Sequence, residues 1–71
     1  MNAAEIRKMD VAEITETLTE ARHELLNLRF QTITGQLMDT SVIRAVRRDI
    51  ARMETILRER ELAEAAEESE A

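Results

Sequence analysis

The chain has no cysteine, proline, tryptophan or tyrosine, a single glycine at Gly35 and a single aromatic residue, Phe30. Without cysteine there is neither a disulfide staple nor a thiolate zinc site, a usage that fits a reducing compartment. A β-rich fold would draw on β-branched, aromatic and turn-forming residues, and this composition is poor in them. No run approaches the roughly 18 apolar residues that cross a bilayer. The N-terminus also lacks the basic stretch and apolar core of a secretory signal. The expectation is a cytoplasmic protein with no membrane partner. Catalytic signals are missing as well: there is no glycine-rich phosphate loop, no cysteine nucleophile and no serine near the only histidine, His23. No enzyme activity, no small-molecule substrate and no cofactor are expected.

What remains is 71 residues dominated by Ala, Leu, Glu and Arg, all good helix formers. That length allows one small domain, which buries only about 60% of its unfolded surface and stands near the margin of stability. The net charge of -5 is unevenly spread. Residues 1–21 carry two basic and five acidic groups, net -3. Residues 22–60 carry eight arginines and five acids, net +3. Residues 61–71 carry five glutamates and no base, net -5. With a Debye length of about 8 Å, a phosphate backbone responds to the local charge and not to the total.

Hydrophobic spacing gives two helices. Asp10 is a capping residue type and Glu13 stands where it can reach back to the cap. Val11, Ile14, Leu18, Ala21, Leu25 and Leu28 then alternate at intervals of three and four, a heptad seam. Gly35 is suited to end that helix in a left-handed conformation. Asp39, Thr40 and Ser41 are capping types that open a second helix. Its seam is Ile43, Val46, Ile50, Met53 and Leu57, again at intervals of three and four. Two seams of similar length joined by a short loop predict an all-α fold: an antiparallel two-helix hairpin, coiled-coil-like, with helices over about 10–34 and 40–63. Residues 1–9 add a short helical turn anchored by Ile6. Leu37 and Met38 are expected to plug the closed end. The hairpin domain spans 1–62, and 63–71, with no large apolar residue, reads as an acidic tail that frays or stays disordered.

Three features lie off the seams. Arg44, Arg48 and Arg52 recur every four residues, with Arg47 beside them, well away from the second seam at about 100° per residue. Like charges at that spacing repel. Asp49 is expected to point to another side, and Glu59 comes only two turns later. One reading is a solvated charged face; the other is a row that waits for an external anion. Arginine outnumbers lysine nine to one, and its planar fork suits phosphate. With one aromatic, platforms for stacked bases are lacking, so backbone and shape recognition of folded RNA is the expectation. Leu26, Phe30 and Ile33 form a second apolar strip on the first helix, roughly 110° from its seam. It either packs on the N-terminal turn or connecting loop, or docks a protein or an RNA. His23 with Glu20 and Glu24 has helical spacing compatible with a metal, but a solvated polar face explains it better.

The run LLNLRFQTITGQL at 25–37 resembles the first-helix end and turn of the bacterial large-subunit ribosomal protein twenty-nine family. VIRAVRRDIARMETILRER at 42–60 is similar to that family's second-helix signature, with VRRDIAR its most diagnostic core. The likeness covers about residues 3–62. It implies a long hairpin with a short leading helix, bound to large-subunit ribosomal RNA near the exit of the nascent-chain tunnel. It also implies a neighbouring ribosomal protein there, number twenty-three of the same subunit. By matching position, Arg29, Gln31, Thr34 and Gln36 near the turn and Arg44, Arg47, Arg48 and Arg52 on the second helix are the RNA-contact candidates. Leu26, Phe30 and Ile33 are the candidate protein contact. The chain departs from its mostly basic relatives in the acidity of residues 10–20 and of the C-terminal end, which are expected to face solvent or protein.

The reading is therefore a structural RNA-binding subunit of the cytoplasmic ribosome, without metal or cofactor. Its rivals are a non-ribosomal coiled-coil interaction module and a small helical enzyme holding an anionic substrate. The seam assignment has a direct check. Val46→Asp would bury an unpaired charge between the helices and should abolish cooperative melting. A circular-dichroism melt matching the unmodified chain would show that Val46 is not in the seam.

Overall fold

A computed structural model describes residues 1–36 and 39–70 of the chain. Three helices follow in order: α1 over Ala3–Arg7, α2 over Val11–Ile33 and α3 over Ser41–Glu70. Helices α2 and α3 pack against each other along the rod, and α1 lies against α3. The expected place of Leu37 and Met38 lies outside the described residues.

Local chemistry accounts for each helix end. Asn2 and Glu5 form a reciprocal capping box at α1, with the Glu5 N–H donating to Asn2 Oδ1 at 2.9 Å. At α2 the Asp10 carboxylate accepts the Glu13 N–H at 2.8 Å. The other end of α2 closes as the sequence predicts. Gly35 takes φ +78°, the Gln36 N–H donates to the Gln31 carbonyl at 2.8 Å, and the Gly35 N–H to the Thr32 carbonyl at 3.2 Å. These are the two bonds of a Schellman end, which occupies carbonyls that the helix leaves open. Before α3, Asp39 Oδ1 accepts the Ser41 N–H at 2.9 Å. Bonds from the Ser41 backbone and hydroxyl hold the Asp39 carboxyl below its ordinary value.

Helix α3 runs to Glu70, past the expected end near 63. The segment AEAAEESE consists mainly of Ala and Glu, whose helix propensity carries the helix forward without packing. Glu61 to Glu68 are exposed there.

The buried side chains are Ile6, Ile14, Leu18, Val46, Met53 and Ile56. Four of these are predicted seam positions. Ala21, Leu25, Leu28, Ile43, Ile50 and Leu57 are half-buried, as a two-helix layer requires, since each helix has a neighbour on one side only. Val11 is 47% exposed despite its seam spacing. It opens α2 at the hairpin's free end, where it has no preceding turn to pack with. Ile56 is the reverse case, off the predicted seam yet buried. Ile6 of α1, fully buried, joins Ile14, Leu18, Met53 and Ile56 in one cluster. Helix α1 thus widens the core to a third side, and Ile56 is the residue it covers.

Three polar contacts fasten α1. Arg52 Nη1 donates to the Met1 carbonyl at 2.9 Å, and Arg60 Nη2 to the Arg7 carbonyl at 2.9 Å. Arg7 and Glu59 stand 3.8 Å apart. The Arg60 cation therefore sits at the C-terminal end of α1, where free carbonyls favour positive charge.

Ile6→Ala should lower stability by about 2–5 kcal/mol, a large part of what so small a domain has. A urea or thermal melt reads this directly, and an unchanged midpoint would mean that α1 adds nothing to the core. Gly35→Ala meets no steric obstacle, since nothing lies within 4 Å of an added Cβ. It should still cost about 1–2 kcal/mol for holding a side chain at positive φ. Gly35→Asn should cost less, and equal losses for both would contradict the conformational cause.

Candidate nucleic-acid interface

The Arg22–Glu54 ion pair, 2.7 Å and solvent-exposed, marks both the register and one flank of the hairpin. Counting 1.5 Å and 100° per residue from that pair, Arg29 of α2 stands level with Arg47 of α3 on the same flank. Helix α1 occupies the opposite flank, over Ile56 and beside Arg52 and Arg60. Helix α1 therefore leaves the arginine side of the closed end uncovered.

The arginines of α3 divide into two groups. Arg44, Arg47 and Arg48 surround Ala51 and line a shallow, open cavity of about 320 Å³. The small Ala51 side chain leaves the room between them. All three are exposed, and among the described residues no carboxylate lies within 4.0 Å of their guanidinium groups. Arg52 behaves differently. Besides its bond to Met1 it stands 3.6 Å from Asp49. Asp49 does not point away from the row as the sequence suggested: one helical turn brings it to Arg52 on the α1 side. Glu59 is taken by Arg7. The relief of charge thus falls on the α1 flank and leaves Arg44, Arg47 and Arg48 unneutralised.

The turn candidates take varied places. Arg29 is exposed, with no ion pair among the described residues. Gln31 is half-buried, and its carbonyl accepts both the Gln36 N–H and the Thr34 hydroxyl, the latter at 3.2 Å. Thr34 and Gln36 are exposed members of the same helix end. Their backbone and hydroxyl roles are in the turn itself, whereas the amide groups of Gln31 and Gln36 make no hydrogen bond among the described residues. Arg58 is a candidate that the sequence pattern alone does not single out. It lies eleven residues after Arg47, three helical turns on and on nearly the same side, and it is exposed. The signal is present, but Glu54 between them hides it until Arg22 is seen to hold that carboxylate.

Leu26, Phe30 and Ile33 are 65%, 66% and 82% exposed. The N-terminal turn does not cover them, because α1 lies on the other flank. Among the described residues no group of three or more His, Asp or Glu side chains is arranged to hold a metal ion, His23 and its neighbours included. No described helix is long and apolar enough to cross a membrane.

Comparison with known proteins gives a consistent result. The family model described as "Ribosomal L29 protein" matches residues 4–60. The large ribosomal subunit protein uL29 of Geobacillus stearothermophilus is 59% identical over 63 residues, covering 89% of this chain and 96% of the relative. That of Thermobifida fusca is 56% identical over 62 residues, covering 87% of this chain and 73% of the relative. The Staphylococcus haemolyticus protein is 52% identical over 64 residues, covering 90% and 93%. A match of this breadth, over a hairpin whose two helices both carry the family's motifs, places the chain in the ribosomal L29 protein family.

Proposed function

We propose that this chain is a structural constituent of the large ribosomal subunit and grips ribosomal RNA with the closed end of its hairpin. It belongs to a family of structural proteins, and its place is the ribosome of the bacterial cytoplasm. The observation that carries the RNA contact is the unneutralised set Arg44, Arg47 and Arg48 around Ala51, with Arg29 level on α2. Packing against α2 fixes the face of α3 from which these side chains leave the helix. Their backbone positions are spaced before RNA binds, and the order lost on binding is that of the arginine side chains themselves. Each fork can hold a phosphate through two parallel hydrogen bonds. The amides of Gln31 and Gln36 extend the polar surface around the turn. Arg52 is held within the fold and supports this surface by fastening the N-terminus.

Charge sets the orientation. The rod measures 55 × 19 × 15 Å, several Debye lengths from end to end. Its free end carries Glu13, Glu16 and Glu20 of α2 and Glu61 to Glu68 of α3, all exposed. Phosphate repels that end, which turns to solvent or protein. The likeness of the two helix motifs to the family supports a position at the tunnel exit, with ribosomal protein twenty-three as neighbour.

Replacing Arg47 and Arg48 together by Ala tests the contact. Affinity for protein-free large-subunit ribosomal RNA should fall. The slope of log K against log salt should flatten by about 0.9 for each phosphate that is no longer neutralised. A slope equal to that of the unmodified chain would remove both residues from the interface.

A further inference from the structure

The lone aromatic side chain of this protein is on its surface. The buried cluster is aliphatic apart from Met53, while Phe30 lies two-thirds exposed on the outer side of α2. A phenylalanine left in water forgoes the large burial that aromatic rings bring to a core. Neither α1 nor α3 covers it. Its surroundings are selective: residues 25–36 contain no carboxylate, and their one charged side chain is Arg29. Arg29 is the next residue on the helix, one turn from both Leu26 and Ile33. The ring therefore lies in a small apolar strip on the outer side of α2, about 100° round the helix from the Arg29 cation at its edge and level with the start of the Arg44–Arg48 row.

We infer that Phe30 is a stacking platform for one unpaired base of ribosomal RNA, whose phosphate, or the next one along the strand, is held by Arg29. The inference rests on the RNA contact proposed above and adds the non-electrostatic part of it. A nucleotide offers an apolar base face and an anionic phosphate a few ångströms apart, which is the pairing of Phe30 with Arg29. Leu26 and Ile33 flank the ring and meet the base edge and sugar. Every base has a π face, so the contact accepts any base but requires one that is unstacked. The hairpin then recognises a place where the RNA helix is interrupted, not a sequence.

Stacking and phosphate contact have different salt signatures. Phe30→Leu keeps an apolar side chain and removes the ring. It should weaken binding to protein-free large-subunit ribosomal RNA about tenfold at every salt concentration, leaving the salt slope unchanged. Because the residue is exposed, the circular-dichroism melt should match that of the unmodified chain. Phe30→Trp should keep the affinity and place the protein's one tryptophan under a base, so its emission should be quenched when the same RNA is added. Unaltered affinity in Phe30→Leu, or unquenched emission in Phe30→Trp, overturns the inference while the arginine contact stands. Normal binding of Phe30→Leu to bare RNA with weakened retention on protein-containing subunits also overturns it, in favour of a protein partner. If the unmodified chain ignores the RNA at low salt, the RNA contact itself falls and the platform with it.

Discussion

The packing of α2 on α3 through Ile14, Leu18, Val46 and Met53 is what every other feature depends on. A hairpin has one inside, a strip between two cylinders, and the side chains in it set the rotation of both helices together. Once Val46 and Met53 face α2, Arg44, Arg47 and Arg48 must face solvent, because 100° per residue leaves them nowhere else. The same rotation exposes Phe30. Loosening the seam would not merely reduce stability. It would let the arginines turn independently of Arg29, and the cationic surface would no longer hold its spacing.

The small core also explains why α1 matters. Two helices of this length leave one edge of α3 open at Ile56, and Ile6 closes it. Five residues of helix are too few to be stable alone, so α1 persists through tertiary contacts. Besides Ile6 in the core, two arginines of α3 make those contacts: Arg52 and Arg60 donate to carbonyls at the two ends of the N-terminal segment. The arginines of α3 thus do two jobs according to the side on which they emerge. Those toward α1 bind backbone oxygen, and Arg44, Arg47 and Arg48, away from it, have no carboxylate within 4.0 Å among the described residues, which is the surface proposed above to meet an anion.

Much of this is legible in the sequence. The alternation of threes and fours locates both helices and most of the buried positions, because heptad spacing and burial in a two-helix seam follow from one geometry. Gly35 marks the turn for a stereochemical reason that needs no knowledge of the partner helix. The arginine row Arg44, Arg48 and Arg52, with Arg47 beside it, is visible as charge without relief, although Arg52 meets Asp49 and the Met1 carbonyl in the fold. The length of α3 is underestimated by the pattern, since the absence of apolar residues after Leu62 says nothing against a helix made of Ala and Glu. Ile56 and the bond of Arg52 to Met1 escape the pattern for a common cause. Each is defined by where α1 lands, and five residues with one large aliphatic side chain carry no signal for that, whereas the Asp49–Arg52 pair is a local contact one turn apart that the spacing could have shown.

Sequence alone thus determined the helices, their pairing and the separation of basic middle from acidic ends, because these depend on periodicity and composition within each segment. Tertiary structure decided which flank α1 would cover. That choice divided the arginines between fold and surface and left Phe30 in water, because neutralisation and burial depend on what stands opposite a side chain, and no local pattern records it.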